Sequence, residues 1–496
     1  MNTIFAAKKE PALLWALTHG MAFRSSTGSA SHVPFSLSPS QISPERFHTL
    51  QDAGELMAML IDNLSRQDHI LDAAISPIVA HDPLFAALLE MHRQLYQSTT
   101  PPPRVPLLIL RSDFLDDSDF GTTLVEANSI AAGMGPFGQL THQLHQHLQQ
   151  RPAAPELGLT SSLVENPAIE RLATAIAAAT MNIKQAFNDQ DPPRFLMVVQ
   201  PDEDNVFDQF LLEQALQQRG IDTLRRTFSE LQGQLSTGPQ QRLMLAGVGS
   251  LDTVYLRSGY QYDDYSSPSS SADLMAIRVF IERHRVAVSA TVSQQLASSK
   301  RMQMLLSQLP ASALTQFGLS QDQAAMVKPL LGEIIAVNEQ SIAKVKADPS
   351  ATWVLKDQRE GGGHCLFDTD IITKLAQLSS EEYPAWLLMR RLHPRPANAP
   401  AYIVRHGKLE VIDDLVAEIG IFNVWYDGQP CPLEPAPPLN TPDITDSMPA
   451  NQAPRRPNAH PSFAGYLVRS KSAQTTEAGV HSGRGVLDSL MFSFPS

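Results

Sequence analysis

From Arg194 onward the chain alternates between two periods, and that alternation restricts the fold more than any other feature. Phe195-Leu196-Met197-Val198-Val199 is a short apolar run of strand formers. Phe207 to Arg219 carries helical spacing and stops at Gly220. Thr223 to Phe228 returns to strand, and Leu243 to Gly247 and Thr253 to Leu256 add two more. Strands separated by helices pair in parallel, because a helix returns the chain to the end it started from. The pattern predicts a small parallel α/β unit of about a hundred residues, ending near Lys300.

The flanks are organised differently. Residues 11–98 read as mostly helical, with apolar three- and four-residue steps from Ala53 to Leu64 and from Leu84 to Leu95. Strands are predicted over Val105–Leu110 and Thr122–Asn128, and helices over Pro136–Gln149, Pro167–Asp189 and Thr291–Leu309. Trp353 to Phe422 alternates strands with one helix, Asp370–Leu378. Residues 428–460, rich in Pro, Asn and Asp, read as a long exposed loop. There is no internal repeat.

The 496 residues carry 38 Lys and Arg against 51 Asp and Glu, a net charge of −13, which argues against non-specific coating of nucleic acid or an anionic membrane. No run reaches the roughly 18 apolar residues of a membrane span. The first ten residues lack a signal-peptide core, and the two cysteines, Cys365 and Cys431, allow no disulfide framework beyond one bridge. These features predict a cytoplasmic protein.

Lys356-Asp357-Gln358-Arg359-Glu360-Gly361-Gly362-Gly363 follows the predicted strand end Trp353-Val354-Leu355. Glycines after a strand let backbone N–H groups approach an anion closely. Lys356 supplies a point charge for phosphate, and Glu360 is a hard oxygen ligand of the kind Mg²⁺ prefers. Glu126 and Asn128, two apart on a strand, share one face and complete a hard-cation set with Glu360. Gly133-Met134-Gly135-Pro136-Phe137-Gly138 matches the dinucleotide pattern GxGxxG, but Pro136 removes a donor from the turn and the acidic strand before it disfavours a pyrophosphate. His142, His145 and His147 read as a solvated helix face rather than a metal site. Cys365, next to His364, does not make a catalytic pair, because adjacent side chains in an extended segment point to opposite faces.

Arg111-Ser112-Asp113, Arg257 and Tyr260 all follow strands, where α/β proteins place ligand-binding groups. Arg469-Ser470-Lys471 precedes a small-residue loop, Ala478-Gly479-Val480-His481-Ser482-Gly483, suited to closing over a substrate.

Taken in order, these pieces resemble glutathione synthetase of the eukaryotic type, in the ATP-grasp ligase superfamily. The resemblance rests on Trp15-Ala16-Leu17-Thr18-His19-Gly20, Leu110-Arg111-Ser112-Asp113, Glu126-Ala127-Asn128, Asn205-Val206-Phe207-Asp208-Gln209, Arg257-Ser258-Gly259-Tyr260, Arg359-Glu360-Gly361-Gly362-Gly363, Glu418-Ile419-Gly420-Ile421-Phe422 and Leu467-Val468-Arg469-Ser470-Lys471. It implies an α/β ATP-grasp fold with glycine-rich lid loops. Residues 1–193 would form a helical region and the first part of the body, 194–299 an inserted parallel α/β substrate-binding domain, and 300–496 the ATP-grasp domain. The implied reaction joins γ-glutamylcysteine to glycine using Mg-ATP. Arg111, Lys356 and Arg469 would be catalytic. Glu126, Lys300, Lys356, Glu360, Gly361, Gly362, Gly363, Met389, Glu418 and Lys471 would bind ATP, with Glu418 near the adenine or ribose. Glu126, Asn128 and Glu360 would hold Mg²⁺. Arg111, Glu203, Asn205, Gln209, Arg257, Tyr260, Arg469, Glu477, Val480 and His481 would contact the substrates. The family is commonly dimeric, which implies a homodimer. The chain departs from the family pattern at Ala131 and Gly133, where hydroxyls are expected, at Met389-Arg390 in place of Met-Glu, and at His481, Ser482 and Arg484 in the last loop.

Overall fold

The structure, a computed structural model, describes residues 2–97, 100–151, 159, 161–266, 274–348, 352–358, 365–397, 399–433, 460–475 and 479–493, with side chains from residue 8 onward. Glu360, Gly361, Gly362, Gly363 and Glu477 lie outside the described residues, as does most of 428–460.

Among the described residues the backbone of the molecule is a 13-stranded mixed sheet. One strand, Val105–Asp117 (β1), joins its two halves. At Val105 and Pro106 it pairs in parallel with Ala287–Ser289, and beyond Leu110 the same edge takes up Gly121–Asn128 (β2) antiparallel. The parallel half contains Ala287–Ser289, Thr253–Leu256, Arg194–Val198 and Asp222–Arg226 in that order. On the other edge of β1 lies Leu415–Tyr426 (β3), and beyond it Phe463–Ser472 (β4), both antiparallel. A separate four-stranded sheet contains Trp353–Asp357 and Trp386–Arg390. It encloses its own small core around Trp353, Leu355, Ile371 and Leu388.

Local chemistry explains the helix boundaries. Pro44–Leu64 starts where the Ser43 side chain accepts from the Arg46 N–H, with Pro44 at the first helical position, where its missing N–H costs nothing. Its apolar face packs on β3 and β1, and Leu60, Ile61 and Leu64 are buried. Among the described residues no helix is long and apolar enough to cross a membrane.

Several boundaries differ from the sequence expectation. The strand read as Val105–Leu110 runs on to Asp117, through Arg111, Asp113 and Asp117. Thr223–Phe228 stops at Arg226, because Thr227 caps a helical turn reciprocally with Glu230. Leu243–Gly247 is not a strand of the parallel unit. Arg242–Leu245 sits in a three-stranded antiparallel sheet with Leu235–Gly238 and Gly249–Ser250. The run Thr291–Leu309 is two helices, Val292–Ala297 and Lys300–Gln308, because the Ser299 side chain caps the second by accepting from the Met302 N–H. His142 and His145 are buried, not solvated: Gly135–Gln149 packs against β4 and Val486–Asp488, and His145 meets Ser489 and Ser36.

Candidate active site

Register assembles the site. Across the β1–β2 pairing Arg111 faces Asn128 and Asp113 faces Glu126, and a bulge after Asp113 shifts the register at Leu124. Across β1–β3 Asp113 faces Gly420, and across β3–β4 Glu418 faces Arg469 and Val416 faces Lys471. Directly opposed residues, and residues two apart along a strand, share a sheet face. Arg111, Asp113, Glu126, Asn128, Glu418, Arg469 and Lys471 therefore come from four adjacent strands onto one face. Gly420 leaves room there: a Cβ on it would stand 2.5 Å from Asp113 Oδ1 and 2.9 Å from Arg111 Cδ.

This face is the floor of a cavity of about 830 Å³. Lys356 and Met389, from the separate four-stranded sheet, line the same cavity, with Val354 paired to Met389. Lys300, the first residue of its helix, lies close enough to act on Glu126. The cavity is cation-rich, with Arg111, Arg469 and Lys471 on the floor and Lys300 and Lys356 beside it gathered about Asp113, Glu126 and Glu418.

Burial pushes the Glu126 carboxyl up, but Lys300, Arg469, Lys356 and Arg111 together outweigh it and hold the group at about 2. Glu126 is therefore an anion at any working pH. Burial raises Glu418, and Asp113 and Glu126 add to that against the opposing pull of Arg469 and Lys471. Arg469 is half-buried, and its desolvation disfavours the charge, yet Glu418, Asp113 and Glu126 more than restore it. Arg469 donates to Asp113 Oδ2 at 2.9 Å and also to Glu418. Glu418 thus sits in the central charge cluster.

Glu126 and Asn128 suit a hard cation. The carboxylate stays ionised and the amide stands beside it, with Asn128 Nδ2 3.3 Å from Glu126 Oε1. Among the described residues no group of three or more His, Cys, Asp and Glu converges as a metal cluster.

The opposite rim comes from the parallel half. Arg257 follows Thr253–Leu256 and lies against Gly133, where a Cβ would collide with its guanidinium. Burial alone would lower the Arg257 pKa, but Tyr255, Asp208 and Glu203 raise it above the ordinary value. The Tyr260 hydroxyl donates to Gln200 Oε1 at 3.0 Å, and burial with Asp264 and Glu203 pushes it up to about 12. Glu203 accepts from the Asn205 N–H at 3.0 Å and from Gln209 Nε2 at 2.5 Å. Asn205, Glu203, Arg257 and Tyr260 line the cavity, whereas Gln209 stands behind Glu203. Val480 and His481 close the far edge. The His481 ring stacks on Phe23 at 4.4 Å, and its Nδ1 lies 3.1 Å from Asp204 Oδ2. The GxGxxG turn does not offer its Met134 and Phe137 N–H groups to a pyrophosphate, because Asp208 accepts from both at the helix start.

Sequence reasoning placed Asp113 in a candidate ligand-binding stretch without a role of its own and gave none to Gln200 or Gln295, although the last two line the cavity and Asp113 ties its floor together. The available signal for Asp113 was its spacing of two from Arg111 on a strand.

A mixed sheet with a cation-rich floor, covered by a second small sheet that carries a lysine, defines an α/β protein of ATP-grasp type. The comparisons agree with that class. The family model described as eukaryotic glutathione synthase, ATP binding domain, matches residues 6–492. Human glutathione synthetase is 28% identical, over 95% of this chain and 94% of the relative. The chloroplastic glutathione synthetase of Arabidopsis thaliana is 25% identical, over 97% and 84%. In fold the chain resembles an apo-form glutathione synthetase-like effector from Globodera pallida, with a TM-score of 0.72 at 17% identity, covering 99% of this chain and 97% of that one. The chain belongs to the eukaryotic glutathione synthase family.

Proposed function

We propose that this chain is a glutathione synthase, joining γ-L-glutamyl-L-cysteine to glycine with release of ADP and phosphate. The observation that supports it most is the convergence of Arg111, Glu126, Arg469 and Lys471 on one sheet face, with Lys356 and Met389 across the cavity. A carboxylate is a poor electrophile until phosphorylated, so such an enzyme must neutralise charge on both ATP and the dipeptide. In this reading Lys300, Lys356 and Lys471 hold ATP, with Met389 beside the base and Glu126, Glu418 and the Glu360–Gly363 segment completing the site. Arg111, Lys356 and Arg469 stabilise the phosphoryl group in transfer. Glu126, Asn128 and Glu360 would hold Mg²⁺, which neutralises phosphate charge.

Glu203, Asn205, Arg257 and Tyr260 hold the dipeptide, with Gln209 acting through Glu203, which makes residues 194–299 the substrate-binding unit between 1–193 and 300–496. Glu477, Val480 and His481 close over the acceptor and exclude water from the acyl phosphate. The two free cysteines fit a reducing compartment such as the cytoplasm, and the homodimer common in the family is the proposed assembly.

One observation favours a second acceptor. His481 is pinned by Phe23 and Asp204, with Ser482 and Arg484 beside it at the cavity edge. ADP release with Mg-ATP, γ-glutamylcysteine and glycine, β-alanine, serine or no amine, with mass identification of the product, separates the readings. Glutathione formed with glycine is the expected result; a stronger response to another amine shifts the assignment to a sister ligase.

A further inference from the structure

The carboxylate of Asp113 is fully buried at the middle of the floor and accepts four hydrogen bonds. Arg111 grips it bidentately, Nε to Oδ1 at 2.7 Å and Nη2 to Oδ2 at 2.8 Å. Arg469 Nη2 reaches Oδ2 at 2.9 Å, and Asn128 Nδ2 reaches the same oxygen at 3.1 Å. An ionised carboxylate offers about four lone-pair positions, and four protein donors already meet this one, three of them on Oδ2. Its charge is directed at protein groups. What it holds is the relative placement of two guanidiniums and the amide proposed to bind Mg²⁺.

We propose that Asp113 is a positioning residue for phosphoryl transfer, fixing Arg111, Arg469 and Asn128 against one another. This rests on the ligase reading above. The donor inventory supports it. Arg111 uses Nε and Nη2 on Asp113 and Nη1 on the Gly133 carbonyl at 3.2 Å, so three of its five N–H groups are committed within the described residues. Arg469 commits Nη2 to Asp113 and Glu418. Within the described residues Arg111 keeps two N–H groups, and Arg469 those on Nε and Nη1, for a ligand. Two arginines that must meet the same transferring group repel each other, and a shared anion lets them stand together. Gly420 belongs to this device, because a side chain there would strike both Asp113 and Arg111.

The test compares wild type with Asp113→Asn. The variant keeps the shape of the side chain and removes its charge. The expected result is a fall in kcat of about 100-fold with KM for ATP within about threefold, since misaligned groups lose transition-state stabilisation more than ground-state binding. In a double-mutant cycle with Arg111→Lys, Asp113→Asn costs much less than it does alone, which a merely structural residue would not show. If Asp113→Asn melts below the assay temperature, Asp113→Glu is measured instead. It keeps the charge but displaces the carboxylate, and a loss of about tenfold in kcat is expected. Turnover within threefold of wild type, or additive effects in the cycle, overturns the proposal. A wild type inactive with every amine defeats the ligase reading instead. Crystal structures then decide Asp113 separately: displaced Arg111 and Arg469 guanidiniums in Asp113→Asn support it, and unmoved ones overturn it.

Discussion

The floor and the far rim of the cavity are built by different rules. On the floor, register places Arg111, Asp113, Glu126, Glu418, Arg469 and Lys471, and the partners of Asp113 lie within hydrogen-bond distance on its own strand, on β2 and on β4. At the rim, His481 sits in a loop with its side chain 42% exposed, held by one aromatic stack and one contact to a loop carboxylate. A ladder cannot shift one residue without turning every side chain to the other face, whereas a loop tolerates change at small cost. The floor is thus suited to chemistry common to a family, and the rim to adjustment of substrate.

Substitutions can break or sharpen that contrast. The largest effect is expected at Arg469→Lys, which keeps the charge but loses the planar fork shared between Asp113 and Glu418. A fall of about 1000-fold in kcat for ADP release, with a melting temperature within a few degrees of the parent, is the expected outcome.

Next comes the footing behind the floor. Asp488 accepts from Ser40 Oγ at 2.7 Å and from Ser470 Oγ at 2.9 Å, and burial pushes it up to about 6. His145 Nε2 faces the Ser36 carbonyl at 2.9 Å and so donates to it, leaving Nδ1 to accept from Ser489 Oγ at 2.6 Å. Burial lowers this His to about 4. The signs oppose. Asp488, raised when folded, adds stability below its unfolded value that is lost as pH rises through about 6. His145, lowered when folded, adds stability above 6.5 that is lost as pH falls toward about 4. Between pH 6.5 and 4 the two offset each other. Asp488→Asn removes one side, so denaturant titrations should show it losing about 2 to 3 kcal/mol more than the parent over that interval. An equal pH slope in both proteins would refute the pairing.

At the seam between floor and rim, Gly133→Ser places a side chain against the Arg257 guanidinium. KM for the dipeptide should rise about 30-fold while KM for ATP hardly moves, as steady-state kinetics with each substrate varied will show. The smallest effect is expected at His481→Ala. It should change KM for the amine by about threefold to tenfold and alter the ranking of amines, leaving kcat and the melting temperature nearly unchanged. A hundredfold loss of kcat there would erase the distinction between rim and floor.

Particular elements show what could be read in advance. The parallel half was legible, because Phe195–Val199 and Thr253–Leu256 are short apolar runs between helices. The far end of β1 was not, because Arg111, Asp113 and Asp117 interrupt the apolar pattern that marks a buried strand. Their burial depends on partners such as Arg469, 356 residues away from Asp113. His142 and His145 misled for the same reason. Their helix is polar in composition, and the partners of His145 lie 109 and 344 residues away.

By itself, then, the sequence determined the alternation of strands and helices, the family, and the residue types able to meet phosphate, metal and dipeptide, since periodicity and short motifs are local properties. Only the tertiary structure decided which of those groups stand together. The cross-strand pairing of 105–117, 121–128, 415–426 and 463–472 puts Asp113 between two arginines, while Lys300 from a helix and Lys356 from the small sheet join Arg469 and Arg111 in holding Glu126 at about 2. Coulomb energy and desolvation depend on distance and burial, and neither is a property of sequence spacing.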